Sequence, residues 1–494
     1  MVELPQQIYS AQQVREIDRA AIDQLEITTY ELMCRAGEAA LDSVERHWPH
    51  ARRLTIFAGA GNNAGDGYVL GRLAAARGID VRIIAVAPPE RLTAAAASAW
   101  EDFRADGGSI ESFTAPLSLA DDVLVDAVLG TGLDRDLDGT FLAAVAALNA
   151  VSNPVLALDI PTGLHAEKGS PMGAAVHADV TTTFVGLKSG LFLGLAPDYR
   201  GIVEFSALGI PGEIYQPYRP VLDRLSIDTL REALPPRRPS SHKRTHGSLL
   251  LVGGSPGMPG AIRLAAEAAL RAGAGLVRVV THPDSASAVL SGRAEIMCQA
   301  ITEPRDLDPF IDAADGVVLG PGLGQSDWGR GLMERLIDSA LPIVLDADGL
   351  NLLAARPRQR DNWVLTPHPG EAARLLDSSI EAVQADRLQA TQDLVDRYRG
   401  VVVLKGAGTL VAGPGEAAVA VCDRGNPGMA VAGMGDVLAG IIGALLVQTE
   451  DQCLAARAGV LLHALAGDAA VTDGQRGLLA GDLMPHIRRW ANPT

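Results

Sequence analysis

Short apolar runs rich in β-branched residues alternate with alanine-rich segments along most of the chain, and this alternation restricts the possible folds more than any other feature. In the first part of the chain the strand-like runs are RLTIFAG (53–59), DVRIIAV (80–86), DVLVDAVLG (122–130), PVLALDIP (154–161) and ADVTTTFVG (178–186). Strands separated by segments of helix length predict parallel βαβ units. Ahead of them, Ser10 stands in the N-cap position of a periodic helical segment.

A stretch rich in proline and basic residues divides the alternation into two blocks. It contains EIYQPYRPVLDR and EALPPRRPSSHKRTHG, and from residue 247 the strand-like runs restart. We therefore predict two α/β domains, 1–216 and 241–494, joined by an inter-domain connection at 217–240. One large sheet running through the whole chain is the alternative. It is less favoured because the break is long and each block supplies a complete set of strands.

Composition excludes several classes of partner. The chain has 494 residues and a formal charge of −17, which argues against a nucleic-acid or anionic-membrane surface. The polar N-terminus lacks the apolar core of a signal peptide, and no uninterrupted apolar run approaches the ~18 residues of a membrane helix. The four cysteines show no disulfide or CxxC pattern, so we expect reduced thiols and a cytoplasmic protein. The alanine-rich helices predict a homo-oligomer.

Acidic residues and glycine turns follow the strands of the first block. The segment GNNAGDG follows the first run, Asp126 ends the third, and Asp159 ends the fourth. In open parallel sheets ligands bind outside the carboxyl ends of the strands, so we expect these groups to form one site. A carboxylate leaving a hydrophobic strand is costly unless it is paired, coordinated or reactive. A helix-capping turn with incidental Asn and Asp is the alternative for GNNAGDG taken by itself.

The motifs GNNAGDG, DAVLGTG and DIPTG, with the preceding LMCRAGEAA, resemble the N-terminal domain of the YjeF family, the NAD(P)H-hydrate epimerases. The resemblance covers about residues 10–215 and implies a Rossmann-like three-layer domain. It also implies a potassium ion held by Asn63, Asp126 and Thr162, with Asp126 the candidate for acid–base work. The residues that it implies for substrate binding are Asn62, Asn63, Ala64, Gly65, Asp66, Gly130, Thr131, Gly132, Leu133, Asp134, Arg135, Asp136 and Asp159.

Two residues depart from the family pattern in the first block. Ala64 replaces a usual glycine, and Thr162 replaces a commoner serine while keeping its hydroxyl. The potassium site should therefore survive, whereas Ala64 requires a backbone conformation that alanine tolerates.

The second block carries further glycine turns at strand ends. GNPGMAVAGMGDVLAG places Asp436 at the start of an apolar helix, where free amides can stabilise a phosphoryl group while the carboxylate takes a hydroxyl proton. An N-capping aspartate is the alternative reading. Lys405 and Thr409 lie in a tight turn between two strands, and His368 is fixed between two prolines.

GSPGMPGA, GPGLG, DADGLN, LTPHPGE, KGAGT and GNPGMAVAGMGDVLAG occur in an order that resembles the C-terminal domain of the same family, the ADP-dependent NAD(P)H-hydrate dehydratases. The resemblance covers about 240–490 and implies a ribokinase-like α/β domain. By this resemblance, Ala261, Gly324, His368 and Asp436 contact the hydrated nicotinamide. Met434 departs from the usual residue without affecting the amides. The residues implied to bind the adenine nucleotide are Lys405, Gly406, Ala407, Gly408, Thr409 and Gly435.

The two resemblances together imply an enzyme that repairs hydrated NADH and NADPH. The first domain would interconvert the R and S hydrates, and the second would dehydrate the S form with magnesium and ADP, with Asp436 as catalytic base. Two alternatives stay open. The second domain could be a small-molecule kinase that stops at phosphorylation, and the first could be only a nucleotide-sensing or partner-binding module.

Overall fold

The computed structural model describes residues 4–115, 119, 123–416 and 418–493. It divides into two compact units, unit 1 (Met1–Leu222) and unit 2 (Asp223–Thr494). The predicted run 122–130 begins at Asp122, which lies outside the described residues.

Unit 1 is built on a parallel sheet. Its helices are α1 (Ala11–Leu25), α2 (Thr29–His47), α3 (Asn62–Ala76), α4 (Ala94–Ala105) and α5 (Gly139–Asn149). Its strands are β1 (Gln7–Tyr9), β2 (Arg53–Ala58), β3 (Asp80–Ala85), β4 (Ser109–Ser112), β5 (Val123–Ala127), β6 (Val155–Leu158), β7 (Val180–Phe184), β8 (Leu187–Lys188) and β9 (Ile202–Ser206). The described strands of the main sheet have the order β4-β3-β2-β5-β6-β7-β9, and β1 pairs separately with β8. From β2 the chain first adds β3 and β4 on one side of the sheet, and then adds β5, β6, β7 and β9 on the other side. The strand order therefore reverses between β2 and β5, and Rossmann-like sheets bind their ligands at this point.

Local sequence determines where the first two helices begin. The Ser10 side chain accepts a hydrogen bond from the Gln13 amide, and the Thr28 side chain accepts one from the Glu31 amide. In return, the side chains of Gln13 and Glu31 accept hydrogen bonds from the backbone amides of Ser10 and Thr28, so both helices begin with a capping box. Such boxes satisfy two backbone donors that a helix N-terminus otherwise leaves free. The start of α1 predicted at Ser10 is therefore confirmed.

Helices cover both faces of the unit 1 sheet. Alternate strand residues such as Ile56 and Val125 pack in a core with α1 to α4, while Phe57 and Leu124 pack in a second core with α5. This alternation follows from the two-residue period of a strand. The predicted three-layer α/β arrangement is confirmed.

Unit 2 has a larger mixed sheet. Its helices are α6 (Ile227–Ala233), α7 (Pro259–Arg271), α8 (Pro283–Leu290), α9 (Asp308–Ile311), α10 (Asp327–Ile337), α11 (Asp348–Ala355), α12 (Pro369–Leu376), α13 (Ile380–Ala385), α14 (Arg387–Tyr398), α15 (Met434–Thr449), α16 (Gln452–Ala470) and α17 (Met484–Trp490). A short strand, β10 (Leu222–Arg224), contains the boundary between the units. The other strands are β11 (Ser248–Val252), β12 (Leu276–Thr281), β13 (Met297–Ala300), β14 (Gly316–Leu319), β15 (Ile343–Leu345), β16 (Trp363–Leu365), β17 (Val401–Leu404), β18 (Thr409–Ala412) and β19 (Val419–Cys422).

The order of these strands is β13-β12-β11-β14-β15-β16-β17-β18-β19. The strands from β13 to β17 are parallel, and β18 and β19 run antiparallel to their neighbours. The carboxyl ends of the parallel strands therefore share one edge, and the predicted hairpin around Lys405 is the β17–β18 turn.

The apolar helices α7, α15 and α16 pack over one face of this sheet. Helix α16 is long and apolar enough by composition to cross a membrane, but 56% of it is buried inside unit 2. That degree of burial is the usual state of a core helix. The four cysteines carry free thiols.

One local prediction is wrong. The segment GNNAGDG was expected to be a turn, but α3 begins at Asn62, so the segment forms the first part of a helix. Packing of α3 against α2 and the sheet outweighs the poor helix propensity of its glycines and asparagines. The stretch 217–240, predicted to be an inter-domain connection, contains β10 and α6. The helix α6 contributes Leu230 and Ala233 to the unit 2 core.

Candidate functional site

A cavity of about 590 Å³ opens in unit 1 at the carboxyl ends of β2 and β5, where the strand order reverses. It has the size of a small-molecule site. Most of the residues predicted to bind substrate in this unit lie on its wall. They are Asn62, Asn63, Asp66, Gly130, Thr131, Gly132, Leu133 and Asp159.

The remaining predicted binding residues of unit 1 lie away from this wall. Ala64 and Gly65 are buried within α3, and their amides donate to the carbonyl of Gly61. Ala64 is in right-handed helical backbone, which alanine prefers, so its departure from the family pattern carries no strain. Asp134, Arg135 and Asp136 are exposed to solvent.

Gly130 keeps the cavity open next to two of its polar residues. A Cβ atom at this position would lie 3.6 Å from Asn63 Cβ and 3.6 Å from Asp159 Oδ2. A larger side chain would therefore occupy the space into which both residues face.

The charged part of the cavity wall consists of three carboxyl groups, one ammonium and two guanidinium groups: Asp18, Asp66, Asp159, Lys188, Arg15 and Arg19. Lys188 is 1% exposed and forms an ion pair with Asp159. It also donates to Thr183 Oγ1 (3.0 Å) and to the carbonyl of Phe184 (2.7 Å). A buried ammonium with this many acceptors stays in a fixed position beside Asp159.

Burial changes the acidity of the other two carboxyls. Desolvation raises the pKa of Asp18 to about 6, with Lys188 opposing and Asp159 adding to the rise. Desolvation raises the pKa of Asp66 well above its ordinary value, and Asp159 and Asp18 add to it. The cavity thus holds two carboxyls with raised pKa values next to an ion pair, an arrangement suited to proton exchange.

Asp126 lies behind the cavity rather than on its wall. Its side chain is fully buried, and it accepts hydrogen bonds from the Thr162 hydroxyl (2.6 Å), the Thr162 amide (2.7 Å) and the Val128 amide (3.2 Å). Desolvation raises the pKa of Asp126 to about 6 although these bonds lower it. Asn63 is also buried, and both polar atoms of its side chain lack a hydrogen-bond partner among the described residues.

In unit 2, the predicted residue Ala261 lies in the first turn of α7, and the predicted residue Gly324 lies in the glycine-rich turn after β14. Gly324 has φ +71, and its amide donates to Asp348 Oδ2 at 2.9 Å. A Cβ atom on Gly322 would lie 3.4 Å from Ala261 Cβ, so the turn after β14 packs directly on the start of α7.

Lys405 is surrounded by carboxyl groups that follow other strands. Its Nζ lies 2.6 Å from Asp346 Oδ1 and 3.8 Å from Glu371 Oε2. The Thr366 hydroxyl donates to the same Asp346 oxygen at 2.8 Å. The pKa of Lys405 is raised because these carboxylates outweigh burial, which alone would lower it.

Asp436 completes this group from the first turn of α15. Desolvation raises its pKa to about 7, Asp346 and Glu371 add to the rise, and Lys405 opposes it. Desolvation likewise raises the pKa of Glu371 to about 7. The predicted Gly435 brings the helix start against the group, since a Cβ there would lie 3.3 Å from Lys405 Nζ. Asp436 is not the N-cap, a position held by Gly433.

His368 is the N-cap of α12. Its Nδ1 accepts from the amides of Gly370 (3.0 Å) and Glu371 (3.3 Å), and its own amide donates to Glu371 Oε2 (2.8 Å). Burial and then Lys405 lower the pKa of the ring. His368 is therefore neutral near pH 7 and presents its other nitrogen, Nε2, on a half-exposed side chain.

Arg387 supports the turn between β17 and β18. It is 3% exposed and donates to the carbonyls of Leu404 and Lys405, both at 3.2 Å. Thr409 closes the same turn by donating to the Gly406 carbonyl at 2.8 Å. The tip at Gly406 and Ala407 is exposed, and Gly408 is buried beneath it.

Five residues of these sites were not predicted from the sequence: Asp18, Lys188, Asp346, Glu371 and Arg387. Asp346 and Glu371 had a signal, because each stands in a glycine- or proline-containing motif that follows a strand. Lys188 and Asp18 had none, since a lone lysine and a helical aspartate are ordinary surface residues.

Comparisons with known proteins match a different family model in each of the two units. Residues 29–190 match the family described as YjeF-related protein N-terminus, and residues 249–489 match the family described as NAD(P)H-hydrate dehydratase. The bifunctional NAD(P)H-hydrate repair enzyme Nnr of Coxiella burnetii is 45% identical over 98% of this chain and 99% of its own. The chain belongs to the family of bifunctional NAD(P)H-hydrate repair enzymes. The family predicted from the motifs is therefore confirmed.

Other members of this family and one solved structure extend the comparison. The Nnr enzyme of Escherichia coli (strain K12) is 45% identical over 100% of this chain and 95% of its own. A ribokinase-like superfamily protein from Enterococcus faecalis V583 superposes with a TM-score of 0.51 at 28% identity. That match covers 55% of this chain and 95% of the Enterococcus chain. The predicted ribokinase-like fold of the second domain is confirmed.

Proposed function

We propose that the chain repairs hydrated NADH and NADPH in two reactions, epimerisation in unit 1 and ADP-dependent dehydration in unit 2. One observation carries the proposal. In unit 2 an acid with a pKa of about 7, Asp436, stands in the first turn of α15 beside the Lys405–Asp346 ion pair. A base near neutral pKa at a helix N-terminus is what phosphorylation of a hydroxyl group requires.

In unit 2, Asp436 accepts the proton of the ring hydroxyl. The hydroxyl oxygen then bonds to the β-phosphorus of ADP while the bond from that phosphorus to the bridging oxygen breaks, which leaves AMP. The carbon–oxygen bond to phosphate breaks next, driven by the lone pair of the ring nitrogen. Loss of a proton from the neighbouring carbon restores the double bond of the reduced nicotinamide.

Binding in unit 2 is divided between two groups of predicted residues. Ala261, Gly324 and His368 contact the nicotinamide hydrate, with neutral His368 as a hydrogen-bonding partner. Lys405 and Gly435 approach the phosphates because they meet at the start of α15. The exposed turn Gly406, Ala407, Gly408 and Thr409 contacts the rest of the nucleotide.

Magnesium fits this site only as a companion of the diphosphate. The described residues contain no group of three or more His, Cys, Asp or Glu arranged to hold a metal ion. Magnesium commonly enters such sites on phosphate oxygens and supplies positive charge to them. Since Asp346, Glu371 and Asp436 surround a single ammonium, a cation accompanying ADP would reduce the repulsion between these carboxylates and the phosphates.

In unit 1, the reacting carbon of the hydrate is bonded to both the hydroxyl and the ring nitrogen. Removal of the hydroxyl proton allows the carbon–nitrogen bond to open, with a proton supplied to nitrogen, and closure on the other face gives the other epimer. We assign these transfers to Asp159 and Lys188, because they face the cavity as a pair. Asp126, for which the resemblance implies acid–base work, is fully buried and does not line the cavity, so Asp159 and Lys188 are the better placed pair.

Asp126 instead fits a potassium ion together with Asn63 and Thr162. The side-chain oxygen of buried Asn63, without a partner among the described residues, and the oxygens of the Asp126–Thr162 pair are the kind of ligand that such an ion prefers. A bound potassium ion would supply charge that compensates a buried carboxylate. The substrate in this unit contacts the predicted residues that line the cavity, and Asp134, Arg135 and Asp136 contact its exposed part.

The experiment follows the return of reduced-nicotinamide absorbance from mixed R and S hydrates with magnesium and either ADP or ATP. We expect full recovery with the wild-type chain. Lys188→Met should stop recovery at the S fraction, while the exposed-lysine control Lys168→Met recovers fully. Asp436→Asn should abolish recovery, with Asp327→Asn, at an exposed aspartate, as its control.

The same assay tests the alternative that unit 2 is a small-molecule kinase, which the ribokinase-like fold also accommodates. A stable phosphorylated product without regenerated NAD(P)H would support that alternative and overturn the repair proposal. Full recovery by Lys188→Met would contradict the epimerase role of unit 1 and favour the alternative that it is only a nucleotide-sensing or partner-binding module. The homo-oligomeric state and the cytoplasmic location stay predictions from composition.

A further inference from the structure

Unit 2 contains a large cavity of about 960 Å³, and several of the side chains that line it are basic. We call it the basic pocket and define it by Arg237, Arg238, His242, His246, Arg271 and Arg488. No Asp or Glu stands among the described residues that line it. This is unusual for a chain with a formal charge of −17, because scattered acidic residues would normally neutralise such a cluster.

The positive charge of the basic pocket is not compensated within the described part of the chain. None of its arginines forms an ion pair there, whereas many other arginines of the chain do. Arg237 donates instead to the Gln448 side-chain oxygen at 3.2 Å and to the Gly273 carbonyl. Burial, then Arg237 and then His242 lower the pKa of His246, as expected for an imidazole among cations.

Helix ends explain part of this arrangement but not all of it. Helix α7 ends at Arg271 and α15 ends next to Gln448, so two helix C-termini face the basic residues. Each C-terminus supplies the equivalent of roughly half a negative charge. Two such ends offset about one of the arginines, which leaves most of the positive charge available to a ligand.

The basic pocket is separate from the candidate catalytic residues of unit 2. Those residues follow the carboxyl ends of the strands, whereas the pocket precedes β11 and β12, where the Gly275 amide donates to the His246 carbonyl at 3.0 Å. Helix α15 carries Asp436 in its first turn and Gln448 near its end. At 1.5 Å per residue these two positions are about 18 Å apart.

Apolar residues form the rest of the wall. Leu234, Pro235, Pro236, Leu270 and Pro493 line the same cavity. A wall that combines guanidinium groups with apolar surface suits a ligand that combines phosphate with a ring system.

We propose that the basic pocket binds phosphorylated small molecules, with nucleoside diphosphates as the representative class, at a site distinct from the catalytic residues. Arg237 and Arg271 on its wall contact the phosphates, and the leucine and proline surface contacts the nucleoside. Inorganic polyphosphate shares the phosphate chemistry and is the other source of such a ligand.

The test is an NMR titration of the ring-labelled histidines of the full chain, with the His246 signal identified by its loss in His246→Gln. Pyrophosphate, ADP and adenosine are added separately at constant ionic strength. We expect pyrophosphate and ADP to raise the pKa of His246, because a bound anion favours imidazolium, and adenosine to leave it unchanged. Tighter binding of ADP than of pyrophosphate would assign the site to nucleotides, and equal binding would assign it to polyphosphate.

Arginine variants show whether the pocket itself is responsible. Arg271→Gln and Arg488→Gln should each weaken the effect of ADP on His246 by about tenfold, the loss expected for one charge-assisted hydrogen bond. Arg358→Gln, at an exposed arginine elsewhere in unit 2, should not change it. Regeneration of NAD(P)H by each variant checks that unit 2 is folded. An equal rise in the His246 pKa on adding sodium chloride alone, or an unchanged ADP effect in both pocket variants, would overturn the proposal.

Discussion

The hydrogen bond from the Thr162 hydroxyl to Asp126 gives a prediction whose size depends on pH. Thr162→Val removes the 2.6 Å bond to Oδ1 and the 2.9 Å bond that the hydroxyl accepts from the Leu129 amide, while keeping the shape of the side chain and the 2.7 Å bond from the backbone amide. The loss of the Leu129 bond does not depend on pH, whereas the loss of the Asp126 bond does. A hydrogen bond to a charged group is worth about 1.5–3 kcal/mol, and one between neutral groups about 0.5–1.5 kcal/mol. The cost of the substitution should therefore follow the ionisation of Asp126.

The way in which this cost changes with pH follows from the pKa of Asp126, which burial raises to about 6 in the folded state. An unfolded aspartate ionises near 3.9, so the folded state loses stability as pH rises from about 4 through about 6. Removing the hydroxyl raises this pKa further, by about one unit. We expect the variant to lose about 1 kcal/mol at pH 5 and about 2–3 kcal/mol at pH 8.

Native-state hydrogen exchange of peptides from β5 measures this difference without requiring the whole chain to unfold in one step. The comparison is made in potassium-free buffer, variant against wild type at each pH. Thr181→Val is the matched control, because its hydroxyl is also buried but donates to a neutral carbonyl, that of Arg200, at 2.7 Å. The control should lose the same free energy at both pH values. If the Thr162→Val loss is also constant between pH 5 and pH 8, the charged state assigned to Asp126 is incorrect.

Three further predictions concern single residues. Ala347→Gly should stabilise unit 2 by about 1 kcal/mol in urea denaturation, because Ala347 has φ +49 and ψ −119, which strains any residue with a Cβ. An unchanged denaturation midpoint would contradict this prediction. Lys405→Met should raise the pH at which dehydration is half-maximal, because Lys405 lowers the pKa of Asp436. An unchanged midpoint of the pH profile would show that Lys405 does not affect the pKa of Asp436. Ala64→Gly should destabilise unit 1 by about 1 kcal/mol without faster epimerisation; a faster variant would show that the alanine impairs the enzyme.

The motifs contain many of the residues that the structure brings together at the two candidate sites. Strand-end residues such as Asp159 and Lys405 could be found because a parallel sheet brings the carboxyl ends of all its strands to one edge. That rule converts positions along the chain into neighbours in space. It does not say which of the neighbours face the cavity, and Asp126, expected to react, lies behind the wall instead.

The elements and their order could be read from the sequence: short buried strands, alanine-rich helices, the N-cap at Ser10, and glycine turns after the strands. These features depend on residues close together in the chain, whose periodicity and turn chemistry can be read directly. The partners of the charged groups became visible only in the folded chain. The ammonium of Lys188 meets Asp159, and that of Lys405 meets Asp346 and Glu371. Burial then moves the pKa of Asp436 to about 7, an effect of desolvation and neighbouring charge that exists only once distant segments have packed together.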